Sequence, residues 1–328
     1  MSERRRIGYF GLGLAVITAV LPLSARAQDK YPSRPIHLIV PYPPGGGTDI
    51  SARVLAQRLG ESLGQPVIVE NRPGAGTLIG SAYVAKAVPD GYTLLYGSVT
   101  HTIASAVYQG RVTPDPVTAY TPISEVACFP FVIVVQPSLG VRSIAELVAL
   151  AKQKPGVLNY ASVGVGTGTN LSGEMFKLQT GTNIVHVPYS GSGPALTALL
   201  GGQVQVGFFD PPPVVSYVKT GGLLALAVTT AQRSSAFPGV PTLQEAGLPG
   251  SEFTSWWGIF GPAKLPPAVT TELNTAIVTA LALPDVKERL AAFAADPVGS
   301  TPGDFATLVK QQAAGFKALA KTANIRIE

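Results

Sequence analysis

Along most of this chain, short uninterrupted apolar runs alternate with stretches in which apolar residues recur at every third or fourth position. The runs read as buried strands at Ile36–Val40, Val67–Glu70, Thr93–Tyr96, Ile123–Val126 and Val132–Gln136. Further strands fall at Leu158–Ala161, Ile184–Val187, Gln205–Phe209, Leu224–Val228 and Gly258–Phe260. The periodic stretches read as helices at Ile50–Leu63, Ile79–Ala87, Ile144–Gln153, Leu171–Gln179, Pro194–Gly201, Thr270–Leu281, Pro284–Ala295 and Pro302–Thr322. Strands and helices in alternation predict an α/β fold with parallel-rich sheets covered by helices.

The first of these units is the most informative. Its strand stops at Pro41, a turn runs through Pro43, Pro44, Gly45, Gly46 and Gly47, and Thr48 or Asp49 is placed to cap the helix that carries Ile50, Val54, Leu55 and Leu59. Glycines feeding a helix N-terminus leave backbone N–H groups uncovered where the helix dipole favours negative charge, so the turn reads as an anion site. Tight loop geometry alone is the competing explanation. A second glycine- and threonine-rich turn, Ala161 to Asn170, leads into the helix carrying Leu171 and Met175, and Val40-Pro41-Tyr42 is echoed by Val187-Pro188-Tyr189 before Ser190-Gly191-Ser192-Gly193. One such turn in each half suggests two similar lobes whose helix N-termini face each other across a cleft.

The ends of the chain refine this. Arg4, Arg5 and Arg6, an apolar stretch from Ile7 to Leu23, and Ala25-Arg26-Ala27 have the form of a cleavable export signal over residues 1–27, cut near Ala27-Gln28. Four arginines and one glutamate in that segment account for +3 of the formal +5, which leaves about +2 and no case for nucleic acid. No later stretch approaches the roughly 18 apolar residues of a membrane span. A lone cysteine, Cys128, sits among apolar neighbours and reads as a small core residue.

Candidate chemistry is sparse. A nucleophile elbow fails because Ser190 precedes Ser192 where glycine is needed, and Ser98 lacks the following glycine. His37, His101 and His186 are the available bases, and His37 and His186 lie inside strand runs. There is no zinc or calcium ligand spacing, no Walker sequence and no dinucleotide fingerprint, so no catalytic residue, metal or cofactor is expected. What remains is a binding cleft lined by the glycine turns together with Thr48, Ser98, Ser162, Thr167 and Tyr189. Asp210 joins it at a strand C-terminus before three prolines, unless it is a solvated turn residue, and Tyr42 and Tyr189 are open to a packing role. Trp256 and Trp257 read as packing near a lobe boundary.

At the level of motifs, VPYPPGGGTDISARVLAQRLGESLGQPVIVENRPGAG, PDGYTLLYGS, NYASVGVGT, HVPYSGSGPALTALLGGQVQVGFFD, VPTLQEAGLPG and the closing STPGDF resemble the Bug family of solute-binding receptors of tripartite tricarboxylate transporters. The likeness runs from about Tyr31 to the C-terminus. It implies a two-lobed type II periplasmic binding fold closing like a flytrap, with two chain crossings: residues 28–129 plus 252–328 form one lobe and 130–251 the other. It implies a periplasmic, monomeric receptor that turns nothing over and delivers its ligand to integral-membrane permease subunits. A receptor that senses its ligand for a signalling partner, and a periplasmic enzyme acting on a carboxylate, are the alternatives.

The ligand implied by the resemblance is a small carboxylate: a di- or tricarboxylate, an amino acid or an aromatic acid. Carried over, one carboxylate is held between Tyr42–Asp49 (Gly45, Gly46, Gly47 and the Thr48 hydroxyl, with Asp49 as helix cap) and Ser162–Thr167, including Gly166. Ordered waters assist there, and Asp210 meets the far end of the ligand. Two positions depart from the family: Thr77 stands where glycine follows Pro73-Gly74-Ala75-Gly76, and Thr169-Asn170-Leu171 replaces Ser-His-Leu. Both fall beside the expected cleft and so bear on ligand identity.

Overall fold

Ile36–Val40 forms the strand β1, buried at every position except His37, as a run lacking a polar face requires. The computed structural model describes residues 31–107, 115 and 117–322; the expected signal segment and its cleavage point lie outside them. After β1 come α1 (Gly47–Leu63), β2 (Val67–Asn71), α2 (Leu78–Ala85), β3 (Thr93–Ser98), α3 (Thr100–Val107), β4 (Tyr120–Pro130) and β5 (Val132–Val135). The middle of the chain supplies α4 (Ile144–Gln153), β6 (Asn159–Ser162), α5 (Gly168–Thr180), β7 (Val185–Pro188), α6 (Ser192–Leu200), β8 (Val206–Phe209), α7 (Val215–Lys219) and β9 (Leu224–Val228). Last are β10 (Thr254–Pro262), α8 (Pro267–Ala282), α9 (Pro284–Ala292), β11 (Asp296–Pro297) and α10 (Pro302–Thr322).

Two sheets result, in the orders β11-β4-β10-β3-β1-β2 and β7-β6-β8-β5-β9, each with its own apolar core. They are mixed, which corrects the expected parallel-rich sheets. β1 pairs parallel with β2 and β3, and β6 with β7 and β8, but β10 runs antiparallel to β3 and β4, and β5 antiparallel to β8 and β9. The cause is the crossing between lobes. β5 and β10 each enter their sheet from the cleft, whereas β1, β3, β6 and β8 run toward it.

The two crossings are stitched together by one side chain. The Phe131 N–H donates to Thr229 Oγ1 at 2.9 Å, and the Thr229 hydroxyl donates to the Phe253 carbonyl at 2.6 Å. Backbone bonds Thr229 N to Phe131 O (3.0 Å) and Phe253 N to Thr229 O (2.8 Å) complete the join. Phe316 of α10 packs its ring edge-on to Phe253, 5.5 Å between centroids.

Cys128 is half-buried beside β11 rather than in the core, because β4 there pairs with the short β11. Burial pushes its thiol up to about 11, away from reactivity. Among the described residues no helix is long and apolar enough to cross a membrane.

Candidate functional site

The turn after β1 is held from beneath. Helix α1 begins at Gly47 with Gly46 at its N-cap, so neither Thr48 nor Asp49 caps it. Asp49 instead lies in the first turn, buried, and its carboxylate reaches back to accept the Gly45 N–H at 2.9 Å. Arg53 Nε donates to both Asp49 oxygens at 3.0 and 3.1 Å, and Asn71 Nδ2 donates to Asp49 Oδ1 at 2.8 Å and to the Tyr42 carbonyl at 3.0 Å. Burial alone would raise the Asp49 pKa, but these donors hold it below the ordinary carboxylate value.

The second turn repeats the device with a neutral side chain. Thr167 caps α5 by accepting the Asn170 N–H at 3.4 Å, and Asn170 Oδ1 accepts the Gly166 N–H at 3.0 Å. In both lobes, then, a residue in the first helical turn bonds back to a glycine N–H four positions earlier, from Gly45 to Asp49 and from Gly166 to Asn170. Thr169 Oγ1 accepts from Val163 N at 3.0 Å, and Ser162 Oγ accepts from Gly164 N at 3.2 Å.

Ser162 Oγ also lies 2.7 Å from His186 Nε2, a spacing seen between nucleophile and base. Here it is a brace. Ser162 is fully buried, its hydroxyl is tied into the Gly164 turn, and the imidazole stacks on Tyr160 with centroids 4.8 Å apart. Burial lowers the His186 pKa.

Between the turns lies a cavity of about 30 Å³, room for about two waters. Of the residues singled out from sequence, Tyr42, Gly46, Gly47, Thr48, Ser98, Thr167 and Asp210 line it. Gly45, Ser162 and Gly166 do not, since each is bonded within its own turn, and Tyr189 lines an adjoining cavity instead. The expectation that Gly45 and Gly166 offer free N–H groups is therefore corrected: a side chain from the following helix takes each one.

The lobes meet across this cavity. The Asp210 carboxylate, at the end of β8, accepts from the Gly47 N–H at the start of α1 and from the Ser192 hydroxyl. It thus stands where the sequence places an incoming anion. A methyl group at Gly47 would collide with that carboxylate, and one at Gly191 would lie 2.9 Å from Pro43. Gly168 N donates to Thr100 Oγ1 at 3.2 Å across the same gap. Burial pushes Asp210 up to about 6 against the hydrogen bonds that favour its ionised form. It is the only charged side chain among the described residues lining either cavity.

The Tyr42 hydroxyl sits between Ser98 Oγ and Thr100 Oγ1, 2.8 Å from each, and burial raises its pKa to about 12. Sequence reasoning missed three lining residues in particular. Thr100 lies on the unanticipated α3. Ser255 and Trp257 alternate along β10 and so share one face. Trp257, fully buried, donates Nε1–H to Thr48 Oγ1 at 3.2 Å, while Trp256 points the other way to Gln312. Ser255 is 1% exposed, and its hydroxyl has no hydrogen-bond partner. A buried hydroxyl left unpaired in a cavity wall marks a place for a polar guest. The period-two pattern Ser255-x-Trp257 is the signal that could have found it.

Comparison with known proteins fits this geometry. The profile of the tripartite tricarboxylate transporter family receptor, TctC, matches residues 51–325. Protein BugT of Bordetella pertussis is 41% identical over 303 residues, covering 92% of this chain and 92% of BugT. The solved periplasmic binding protein BugD superposes with a TM-score of 0.86 at 32% identity, over 90% of this chain and 100% of BugD. R. palustris Rpa4515, solved with adipate, gives 0.87 at 36% identity, over 90% of this chain and 100% of that one.

Proposed function

The chain belongs to the tripartite tricarboxylate transporter receptor family, and from that membership we propose that it captures a small carboxylate between its lobes and hands it to a membrane permease. It does so in the periplasm, after removal of residues 1–27, as a monomer and without chemical change to the ligand. In this reading the chain crosses between the lobes near residues 129–130 and 251–252, the middle of the chain forming the second lobe. The adipate held by Rpa4515 supports the ligand class.

One observation carries the reading. The cavity between the two strand-to-helix turns is walled by hydroxyls and by the α1 N-terminus, and one of those hydroxyls, Ser255, is buried with no partner. Such a wall suits an oxyanion, because the Ser255 hydroxyl would exchange an unmet bond for a charge-assisted one and the neighbouring hydroxyls can turn toward the same charge. Contacts made by both lobes to one anion favour the closed arrangement over the open one, which is how binding becomes a signal to the permease. The Phe131–Thr229–Phe253 join is the place where the lobes would hinge.

The test is a thermal-shift screen of the mature protein against mono-, di- and tricarboxylates, amino acids and aromatic acids, followed by calorimetry on each hit. A ligand that binds only the native state raises the melting temperature, by roughly 2.7 kcal/mol of stabilisation at a hundredfold excess over Kd. Recovery of the ligand unchanged after incubation is expected. If no carboxylate in the panel shifts the transition, the reading fails.

A further inference from the structure

Beside the small cavity lies a larger one of about 470 Å³, which shares Tyr42, Pro43, Val163 and Thr167 with it. Its wall in the first lobe includes the segment Gly74–Thr77, in which every residue has positive φ: +128°, +47°, +60° and +84° in order. Glycine enters that region freely, whereas Ala75 and the β-branched Thr77 do so only under strain. The surroundings enforce it. Helix α2 is clamped to the end of β1, because a methyl group at Gly80 would lie 2.7 Å from the Arg72 carbonyl and 2.9 Å from Pro41 Cβ. Chain leaving Pro73 must turn left-handed to reach it.

Thr77 gains no helix cap in return. A threonine at an N-cap ordinarily takes extended backbone and accepts an N–H from the first turn. At φ +84° and ψ −10° its side chain makes no such bond and forms part of the cavity wall, with the residue 6% exposed. Strain retained at a ligand-sized cavity is the pattern of a functional contact. The remaining wall is mostly proline, valine, glycine and tyrosine surface, with two further hydroxyl residues, Thr167 and Ser190, and no lysine, arginine or histidine among its described residues. A second or third carboxylate there would lose its water with no cation to replace it. The volume lies within the range of pockets that enclose drug-sized molecules.

We infer that this cavity receives the non-carboxylate end of the ligand and that Thr77 selects it. The ligand class is a carboxylate with an extended or aromatic uncharged body bearing a hydroxyl or carbonyl oxygen within reach of the Thr77 hydroxyl. This inference rests on the carboxylate-receptor reading and narrows it.

The test is calorimetry on the mature protein with benzoate, 3- and 4-hydroxybenzoate, hexanoate, 6-hydroxyhexanoate and citrate, repeated with Thr77→Ser and Thr77→Gly. At least one hydroxylated acid should bind the wild type about tenfold more tightly than its parent, the worth of one hydrogen bond. Thr77→Ser should keep that preference. Thr77→Gly should bring it below about threefold while leaving the ligand-free melting temperature undiminished, since glycine fits the backbone without strain. Equal binding of parent and hydroxylated acids, a preference that survives Thr77→Gly, or citrate as the tightest ligand overturns the inference and leaves carboxylate capture standing. Failure of every acid to bind the wild type sinks both.

Discussion

An Asp210→Asn substitution removes the only charged side chain among the described residues lining the cleft, yet leaves an oxygen to accept the Gly47 N–H. Burial has pushed the Asp210 pKa up to about 6, so at pH 7 the group is roughly nine-tenths ionised. A ligand carboxylate arriving about 5 Å away, at an effective dielectric near 20, is repelled by roughly 3 kcal/mol. The protein has a cheaper route, because protonating a group of pKa 6 at pH 7 costs about 1.4 kcal/mol. The lower figure sets the penalty, about tenfold in Kd. At pH 5 the group is already protonated and the penalty vanishes.

Calorimetric titration of wild type and Asp210→Asn with one monocarboxylate, such as benzoate, from pH 5 to 7.5 reads this directly. The variant should bind about tenfold more tightly at pH 7 and equally at pH 5, and titration of the ligand itself cancels in the ratio. Wild-type binding at pH 7 should also take up close to one proton, visible as a dependence of the heat on buffer ionisation. A ratio that stays constant across the range refutes the reasoning. A variant weaker at every pH does so too, and assigns ionised Asp210 to a donor on the ligand. Ligand-free stability moves in the matching sense. The folded pKa is raised from 3.8 to about 6, so the contribution of Asp210 is fully present below about pH 4 and lost as pH rises through 6, a swing of about 3 kcal/mol. The melting-temperature advantage of Asp210→Asn should therefore grow from pH 4 to pH 7.

Three further substitutions probe the rest of the machine. Gly47→Ala is compatible with the helix but drives a methyl group into the Asp210 carboxylate and to 3.1 Å from Pro212 Cδ; small-angle scattering should show a wider molecule and carboxylate affinity should fall at least about tenfold, and unchanged binding would falsify the closed contact. Ser255→Ala removes a hydroxyl that has no partner, so the melting temperature should stay within about one degree while affinity falls about tenfold; intact affinity removes Ser255 from the site. Thr229→Val strands the Phe131 N–H and loses the bond to the Phe253 carbonyl, and should cost about 1–3 kcal/mol in urea unfolding. A loss under about 0.5 kcal/mol means that the two crossings are not joined through this side chain.

The strand-turn-helix unit at Ile36–Leu63 was legible in the sequence because its signals are local: an apolar run, prolines that end it, and glycines that admit the turn. The same locality made the second turn at Ser162–Asn170 legible. Helix α3, Thr100–Val107, was not, since it follows β3 almost at once and its polar first turn reads as loop. The antiparallel strands β5 and β10 were equally hidden. Their direction depends on where the chain re-enters a sheet after crossing lobes, and no residue pattern within a strand records that.

The deeper miss concerns which groups face the ligand. Counting glycines treats a helix N-terminus as an empty anion site, but an N–H is available only if nothing nearer takes it. Gly45 and Gly166 fail that condition through side chains four residues on, a pattern readable as Gly-x-x-x-Asp and Gly-x-x-x-Asn. Gly47 fails it through Asp210, more than a hundred and sixty residues away, which only the closed lobes bring near. The two turns thus share a frame and differ in charge. The first is built over buried Asp49, offset by Arg53, and meets Asp210 from the other lobe, whereas the second is built over neutral Asn170. A carboxylate entering this cleft therefore competes with one carboxylate for the start of α1 and lies above another. Its welcome is set less by the glycines than by how readily Asp210 takes up a proton or a donor.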